Sequence, residues 1–278
     1  EGPRGASAAR NAGVRAATQP LLLFVDSDVA VPEDAILRVW SLLTSDPDVA
    51  GLFGSYDAEP SAPSLVSQYR NLLHHFVHQR SAAEAFTFWS GFGALRLEVF
   101  RALGGFDEGV RGIEDIELGY RLRRAGYRIR LERRLQVKHL KRWTLPLMIK
   151  TDILDRARPW SRLILDQGGA PDDLNLSASS RWSLVAAAVF ALCVAGAVAH
   201  PVALAGAGVS GLTLLFLNQD FYRFLLAQRG VAFGLCAMPL HALYYLCGGV
   251  GFTLALADLA VGRVSALSRS LSGRRSGS

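Results

Sequence analysis

Leu21-Leu22-Leu23-Phe24-Val25-Asp26-Ser27-Asp28 sets five consecutive apolar residues directly before two carboxylates spaced one residue apart. So short and apolar a run reads as a buried central strand, covered on both faces. The carboxyl ends of such strands are where open α/β sheets hold their ligands. Asp26 and Asp28 would share a face if the strand continued through them. Two hard oxygen donors side by side suit Mg²⁺ or Mn²⁺ shared with a substrate phosphate. The competing reading of an isolated Asp-x-Asp is a strand end followed by an Asx-type turn.

Working outward, Ser7 to Ala17 is small and helix-compatible, with Arg10 and Asn11 on its polar side, and Thr18-Gln19-Pro20 ends it. Beyond the aspartates, Pro32-Glu33-Asp34 opens a helix through Leu43, with proline in the first turn and carboxylates at the positive end of the dipole. Ala50 to Tyr56 is the next strand, and this alternation of helix and strand favours a parallel sheet. Ser64 to Gln79 follows as an amphipathic helix. Its His74 and His78 share a face but lack a third ligand, so they read as a polar face toward an acceptor or headgroups rather than a metal site. Phe86 to Leu95 is an aromatic strand interrupted by Gly91 and Gly93, which mark close approach of a ligand or a second backbone. Glu114-Asp115 opens a helix that closes at Gly126. The dipole favours ionised carboxylates there, whether as site residues or as plain caps. Tyr127 to Leu131 alternates as a strand, and the chain then reaches His139 inside the basic run Val137 to Thr144.

The net charge of +6 is concentrated between Arg121 and Arg142. Next to apolar segments such a cluster points to an anionic leaflet rather than to nucleic acid. Trp182 to Gln219 and Gly230 to Ala257 contain no Asp, Glu, Lys or Arg, and each is longer than the roughly 20 residues that cross a bilayer as a helix. Cys193, Cys236 and Cys247 lie within these stretches and read as small buried hydrophobes. The chain opens Glu1-Gly2-Pro3-Arg4 without a signal peptide, in what reads as the middle of a domain, so a fragment is expected.

Four features in order, Ala9-Arg10-Asn11-Ala12-Gly13, Asp26-Ser27-Asp28, Glu114-Asp115 and His139, with Gly91-Phe92-Gly93 between them, resemble glycosyltransferase family 2. The resemblance covers residues 1–143 and implies the GT-A fold, a mostly parallel sheet with flanking helices. It implies inverting transfer of a sugar from a nucleoside-diphosphate donor. By the same resemblance Asp26 lies near the nucleoside and metal, Asp28 coordinates Mg²⁺ or Mn²⁺, and Asp115 is the general base with Glu114 in support. His139 is a further metal or diphosphate ligand. Arg10, Asn11, Gly91 and Gly93 fall in the substrate-binding set. Lys138, Lys141 and Arg142 offset phosphate charge, and Arg142 and Trp143 line the acceptor site. Two departures matter. The strand and Asp-rich loop that usually bind the base would precede Glu1, and His139-Leu140-Lys141-Arg142-Trp143 has His where processive members carry Gln in Gln-x-x-Arg-Trp. A polysaccharide synthase is therefore not expected.

After a catalytic domain over 1–143, residues 144–182 read as an amphipathic linker in the membrane interface, with Trp160 and the arginines at headgroup level. A surface helix of the catalytic domain is the alternative. Residues 183–260 give two or three transmembrane helices, with a hairpin at His200-Pro201 and residues 218–230 returning to the catalytic side. Residues 261–278 form a basic, disordered tail. The expected protein is a multi-pass membrane glycosyltransferase at the cytoplasmic face, taking a nucleoside-diphosphate sugar and a lipid-linked or other membrane-proximal acceptor. A non-catalytic membrane scaffold and a nucleotidyltransferase are the alternatives.

Overall fold

The computed structural model describes residues 5–169 and 174–275, with side chains through Val261. Helix α1 (Ala6–Ala16) leads into β1 (Leu21–Val25), a turn, and the two-residue β2 (Val29–Ala30). Then come α2 (Ala35–Ser45), β3 (Val49–Tyr56), α3 (Leu65–Arg80), β4 (Glu84–Ala85), β5 (Phe92–Arg96), α4 (Leu97–Ala102), α5 (Glu114–Arg124) and β6 (Arg128–His139). The sheet order is β1-β5-β3-β6-β2, with β4 pairing to β6.

The sheet is mixed. β3 and β6 pair in parallel, whereas β5 runs antiparallel to both β1 and β3 and lies between them. Strands β1, β3 and β6 therefore share a direction without β1 and β3 being neighbours. The helix-strand alternation suggested direct parallel neighbours. The strand expected over Phe86 to Leu95 is present only from Phe92, because Phe86 to Gly91 is irregular chain, and it runs antiparallel to its neighbours. That irregular stretch reverses the chain, so β5 enters from the carboxyl ends of β1 and β3.

Every residue of β3 is buried, as a central strand covered on both faces should be. One apolar layer packs Phe24, Phe53, Phe88, Leu118 and Leu122 between the sheet and α5. A second packs Val39, Leu43, Leu52, Phe92 and Leu135 beneath α2. Each such side chain contributes roughly 1.5–3 kcal/mol by leaving water. α5 lies flush on the irregular chain at Gly119, where a Cβ would come within 2.4 Å of the Phe88 backbone nitrogen.

After β6 the chain forms one long rod: α6 (Leu145–Lys150), a π-helical turn over Thr151–Ala157, and α7 (Arg158–Gln167). It starts at Thr144, whose Oγ1 accepts from the Leu147 amide, and stops at the left-handed Gly168. The rod does not present Trp160 outward to headgroups as expected. Trp160 is buried, with its Nε1 donating to Tyr120 Oη at 3.4 Å, and Asp152 is buried against Arg70 of α3.

Helices α8 (Ala178–Gly196) and α9 (Ala203–Leu217) make the expected hairpin around His200-Pro201, and α10 (Gln219–Arg275) breaks at Gly230 (φ 81°, ψ 175°). By length and composition, Ala178–Gly196 and the Gln219–Val261 part of α10 are the two described helices able to cross a membrane, while α9 is shorter. The part of α10 before Gly230 docks on α3, with Phe221, Tyr222 and Leu225 against Tyr69, Leu72 and Leu73. Arg80 pairs with Asp220 at 2.7 Å, and Arg229 donates to Gln68 Oε1 and the Ala58 carbonyl. The expectation for the tail falls largely on residues whose side chains lie outside those described.

Candidate active site

Strand β1 ends at Val25, so Asp26 and Asp28 sit in a turn rather than on an extended strand. The Val29 amide donates to the Asp26 carbonyl at 3.1 Å, closing that turn. The Asp26 amide donates to the Gly91 carbonyl, and the Leu140 amide donates to the Asp28 carbonyl at 2.8 Å. Because β2 pairs Val29 with His139, this clamp brings the end of β6 against the aspartates. The His139 Nε2 lies 3.8 Å from Asp28 Oδ2, and Lys141 Nζ lies 3.9 Å from the same oxygen.

Asp26, Asp28, His139, Lys141, Trp143 and Asp115 line one cleft of about 430 Å³, a size in the range of small-ligand sites. Asp115 enters from the first turn of α5. Its Oδ2 accepts from the Ser90 amide (3.0 Å) and hydroxyl (3.2 Å), and its Oδ1 from the Ile116 amide at 2.8 Å. Burial raises its pKa above the ordinary aspartate value; the Ser90 amide opposes the rise, and the charge of Glu114 adds to it. A carboxylate held this way is a stronger base than a solvated one.

The remaining expected site residues divide clearly. Arg10 donates to Asp26 Oδ1 at 2.7 Å and to Glu114 Oε1 at 2.8 Å, so it ties the aspartate turn to α5 behind the cleft. Neither Arg10 nor Glu114 is among the cleft-lining residues. Asn11 does not reach the cleft either: its amide accepts from the Phe106 N–H and donates to the Phe106 carbonyl, bracing the turn after α4. Gly91 and Gly93 make room for protein rather than ligand. A Cβ at 91 would meet the Trp89 indole within 2.4 Å, and one at 93 would come within 2.6 Å of the Phe88 ring. Arg142 is exposed and outside the cleft, because in extended chain it faces away from its neighbours Lys141 and Trp143. Lys138 is engaged with Asp57 at 3.1 Å.

The structure adds residues that sequence patterning did not mark. Tyr56 stacks on His139 (ring centroids 4.1 Å apart, 10° between planes), and Trp89 packs on Tyr56 and on His74. His74 and His78 lie against each other at 4.0 Å. Burial pushes His78 down to about 3 and His74 well below the usual range, and burial likewise lowers His139. His78 Nδ1 is within hydrogen-bond distance of the Gly54 carbonyl at 3.1 Å. The cleft floor is thus neutral and aromatic, and its rim is charged. Arg70, Asp155 and Arg156 also line the cleft. Arg70 pairs with Asp152 eighty-two residues away (Nη1 to Oδ2, 3.1 Å) and lies over the Trp143 ring. No local pattern signals that pairing, although the acidic and basic residues of 150–158 were visible.

The donor set fits a divalent ion of one kind. Among the described residues no group of three or more His, Cys, Asp or Glu is placed to hold an ion by itself. Asp28 meets His139 and Lys141 only at 3.8–3.9 Å, which leaves its oxygens open toward the cleft. One or two carboxylates that need a further ligand match an ion completed by substrate phosphates.

A mixed α/β sheet with a carboxylate turn at one strand end and a carboxylate-bearing helix facing it is the GT-A architecture. The chain is similar in fold to the mannosyltransferase PcManGT of Pyrobaculum calidifontis, solved with GDP-Man and Mn²⁺, with a TM-score of 0.51 and 20% identity over 90% of this chain and 67% of that one; at that identity the likeness is one of fold. Residues 1–152 match the glycosyltransferase like family 2, and the chain belongs to that family. The pre-mycofactocin glycosyltransferase of Mycobacterium tuberculosis is 30% identical in an alignment 152 positions long that covers 49% of this chain and 30% of that protein. The succinoglycan biosynthesis protein ExoA of Rhizobium meliloti is 57% identical over 35 residues, 13% of this chain and 11% of its own. The chain thus spans less than a third of the curated relatives it matches.

Proposed function

We propose that this protein transfers a sugar, with inversion, from a nucleoside-diphosphate donor to a lipid-linked acceptor at the cytoplasmic face of a membrane. The observation that carries the reading is the one cleft shared by Asp26, Asp28, His139 and the half-buried Asp115. The acceptor hydroxyl oxygen forms a bond to the anomeric carbon as the bond from that carbon to the diphosphate oxygen breaks. The electron pair leaves with the nucleoside diphosphate, and the hydroxyl proton passes to Asp115. Attack from the face opposite the leaving group inverts the anomeric centre.

Asp28, with Asp26 beside it and His139 at the rim, would hold Mg²⁺ or Mn²⁺ only together with the donor's phosphate oxygens, and the ion would supply positive charge against the diphosphate. Lys141 adds a cation on the same rim, where negative charge accumulates as the diphosphate departs. Arg10 and Glu114 position Asp26 from behind. The aromatic floor of Tyr56 and Trp89 offers an apolar face to the sugar ring. The GDP-Man and Mn²⁺ of the archaeal mannosyltransferase support a nucleotide sugar and a divalent ion here as well. The two apolar helices support the membrane setting.

The test is transfer of labelled sugar from GDP- and UDP-linked donors into the organic extract of membranes carrying the protein. Asp28→Ala and Asp115→Asn each should reduce transfer by about 10²-fold or more. Undiminished transfer in either variant sinks the assignment. Absence of both transfer and metal-dependent nucleotide binding would identify a scaffold, and release of pyrophosphate a nucleotidyltransferase.

A further inference from the structure

A second cavity, of about 330 Å³, lies against the first. Its walls are chiefly apolar, with Ala157 and Ile164 of the rod, Leu184 of α8, and Tyr244, Gly248 and Phe252 of α10, while Asp152, Ser161, Ser180 and Arg181 also line it. It is therefore an apolar chamber between the rod and the two helices long enough to span a membrane. Arg156, Trp160 and Asn175 line both this chamber and the catalytic cleft, so the two spaces meet at these side chains.

Arg156 stands at the junction, on the π-helical turn. The same turn sends Asp152 to Arg70, a pairing that uses up the neighbouring carboxylate. Arg156 itself forms no ion pair with any described residue. A half-buried guanidinium with no carboxylate partner among the described residues, with an apolar chamber on one side and the cleft of Asp115 on the other, suits an anionic ligand. π-helical turns recur at functional positions, where the inserted residue re-aims side chains. Tight packing holds this one in place, since a Cβ on Gly251 of α10 would come within 2.4 Å of the Ala157 Cβ.

We infer that the chamber seats the hydrocarbon chain of an anionic lipid acceptor. Arg156 grips the phosphate at the head of the chain, and a hydroxyl of the polar group esterified to that phosphate is delivered to Asp115, which takes its proton as the oxygen bonds to the anomeric carbon. The inference rests on the transferase reading and specifies its acceptor as a phosphorylated hydrocarbon-chain amphiphile rather than a soluble sugar. Three features argue for this occupant: the chamber is continuous with the cleft, candidate spans form its wall, and a cation with no ion-pair partner among the described residues stands where the two spaces meet. An apolar wall alone would take any hydrocarbon; the arginine selects for the anion.

The experiment uses the full chain in lipid nanodiscs and a diazirine-bearing analogue of farnesyl phosphate as the probe. Labelling is expected on the peptides containing Ile164, Leu184 and Tyr244 to Phe252. Unlabelled farnesyl phosphate should compete, whereas inorganic phosphate and farnesol at the same concentration should not. Gly248→Leu and Leu184→Phe both narrow the chamber and should each cut labelling severalfold. Arg156→Gln should weaken competition by farnesyl phosphate about tenfold, as expected for loss of one charge-assisted contact. Labelling confined to other sites, or unchanged in both chamber variants, overturns the inference. So does farnesol competing as well as farnesyl phosphate. GDP and UDP binding with Mn²⁺, measured on the same discs, separates the two readings. Labelled chamber without nucleotide binding refutes the transferase and leaves the lipid site standing; nucleotide binding without chamber labelling refutes the lipid site alone.

Discussion

Asp115 is subject to opposed influences whose balance raises its pKa. Burial, the largest, raises its pKa; the Ser90 amide pulls it down. With a folded pKa above the unfolded one, the native state binds more protons than the unfolded chain in the window between the two values. Stability therefore falls as pH rises through that window, and at neutral pH the ionised Asp115 costs stability. Asp115→Asn removes that cost, so its denaturation midpoint at neutral pH should equal or exceed that of the parent protein while transfer collapses. The base must be ionised to act, so transfer should decline as pH falls, with a midpoint above the ordinary aspartate pKa of 3.8. A pH–rate profile that stays flat down to that value would remove Asp115 from the role of base.

At the scale of elements, the join between α3 and the rod rests on Arg70 and Asp152, whose side chains are 8% and 3% exposed. Ion pairs buried to this degree contribute little net stability against an apolar replacement, but removal of one partner strands the other charge. Asp152→Ala is expected to destabilise the protein by about 3–5 kcal/mol, and Arg70→Met with Asp152→Leu together by much less. A double-mutant cycle in denaturant measures the difference. Additive losses would show that the pair does not act as a unit. Because Arg70 also lines the cleft over Trp143, the single variant should disturb the site, whereas α2 on the far layer should be unaffected.

For the whole molecule, the catalytic sheet and the apolar helices are one packed body. Phe221, Tyr222 and Leu225 bury themselves on α3, and Gly251 seats α10 on the rod. This attachment is made of buried apolar area, which salt does not screen. With Ala178–Gly196 and Gln219–Val261 crossing a membrane as proposed, the protein should stay in the membrane pellet after washing with 1 M salt or alkaline carbonate, as measured by immunoblot of the fractions. Release into the supernatant by salt alone would mean that surface charge rather than spanning helices holds it there.

The sequence determined by itself the existence and order of the main elements. Residues 21–28 marked the strand and its charged end, Glu114-Asp115 the helix start, and His200-Pro201 the hairpin, because hydrophobic runs, caps and breakers are local signals. It also grouped Asp26, Asp28, Asp115 and His139 as a set through the resemblance of their order to glycosyltransferase family 2, and the fold lines one cleft with all four. It did not determine that β5 lies antiparallel between β1 and β3, that Arg10 and Glu114 work from behind the cleft, or that Asn11 and the two glycines serve packing. Nor did it reveal Arg70 with Asp152, or Arg156 between two cavities. Those assignments depend on pairings between residues tens of positions apart, which only the tertiary fold brings within hydrogen-bond reach. In the Asp26-Ser27-Asp28 turn the two levels meet: the carboxylates are local, but the Gly91 carbonyl, the Leu140 amide and Arg10 that fix them come from three other parts of the chain.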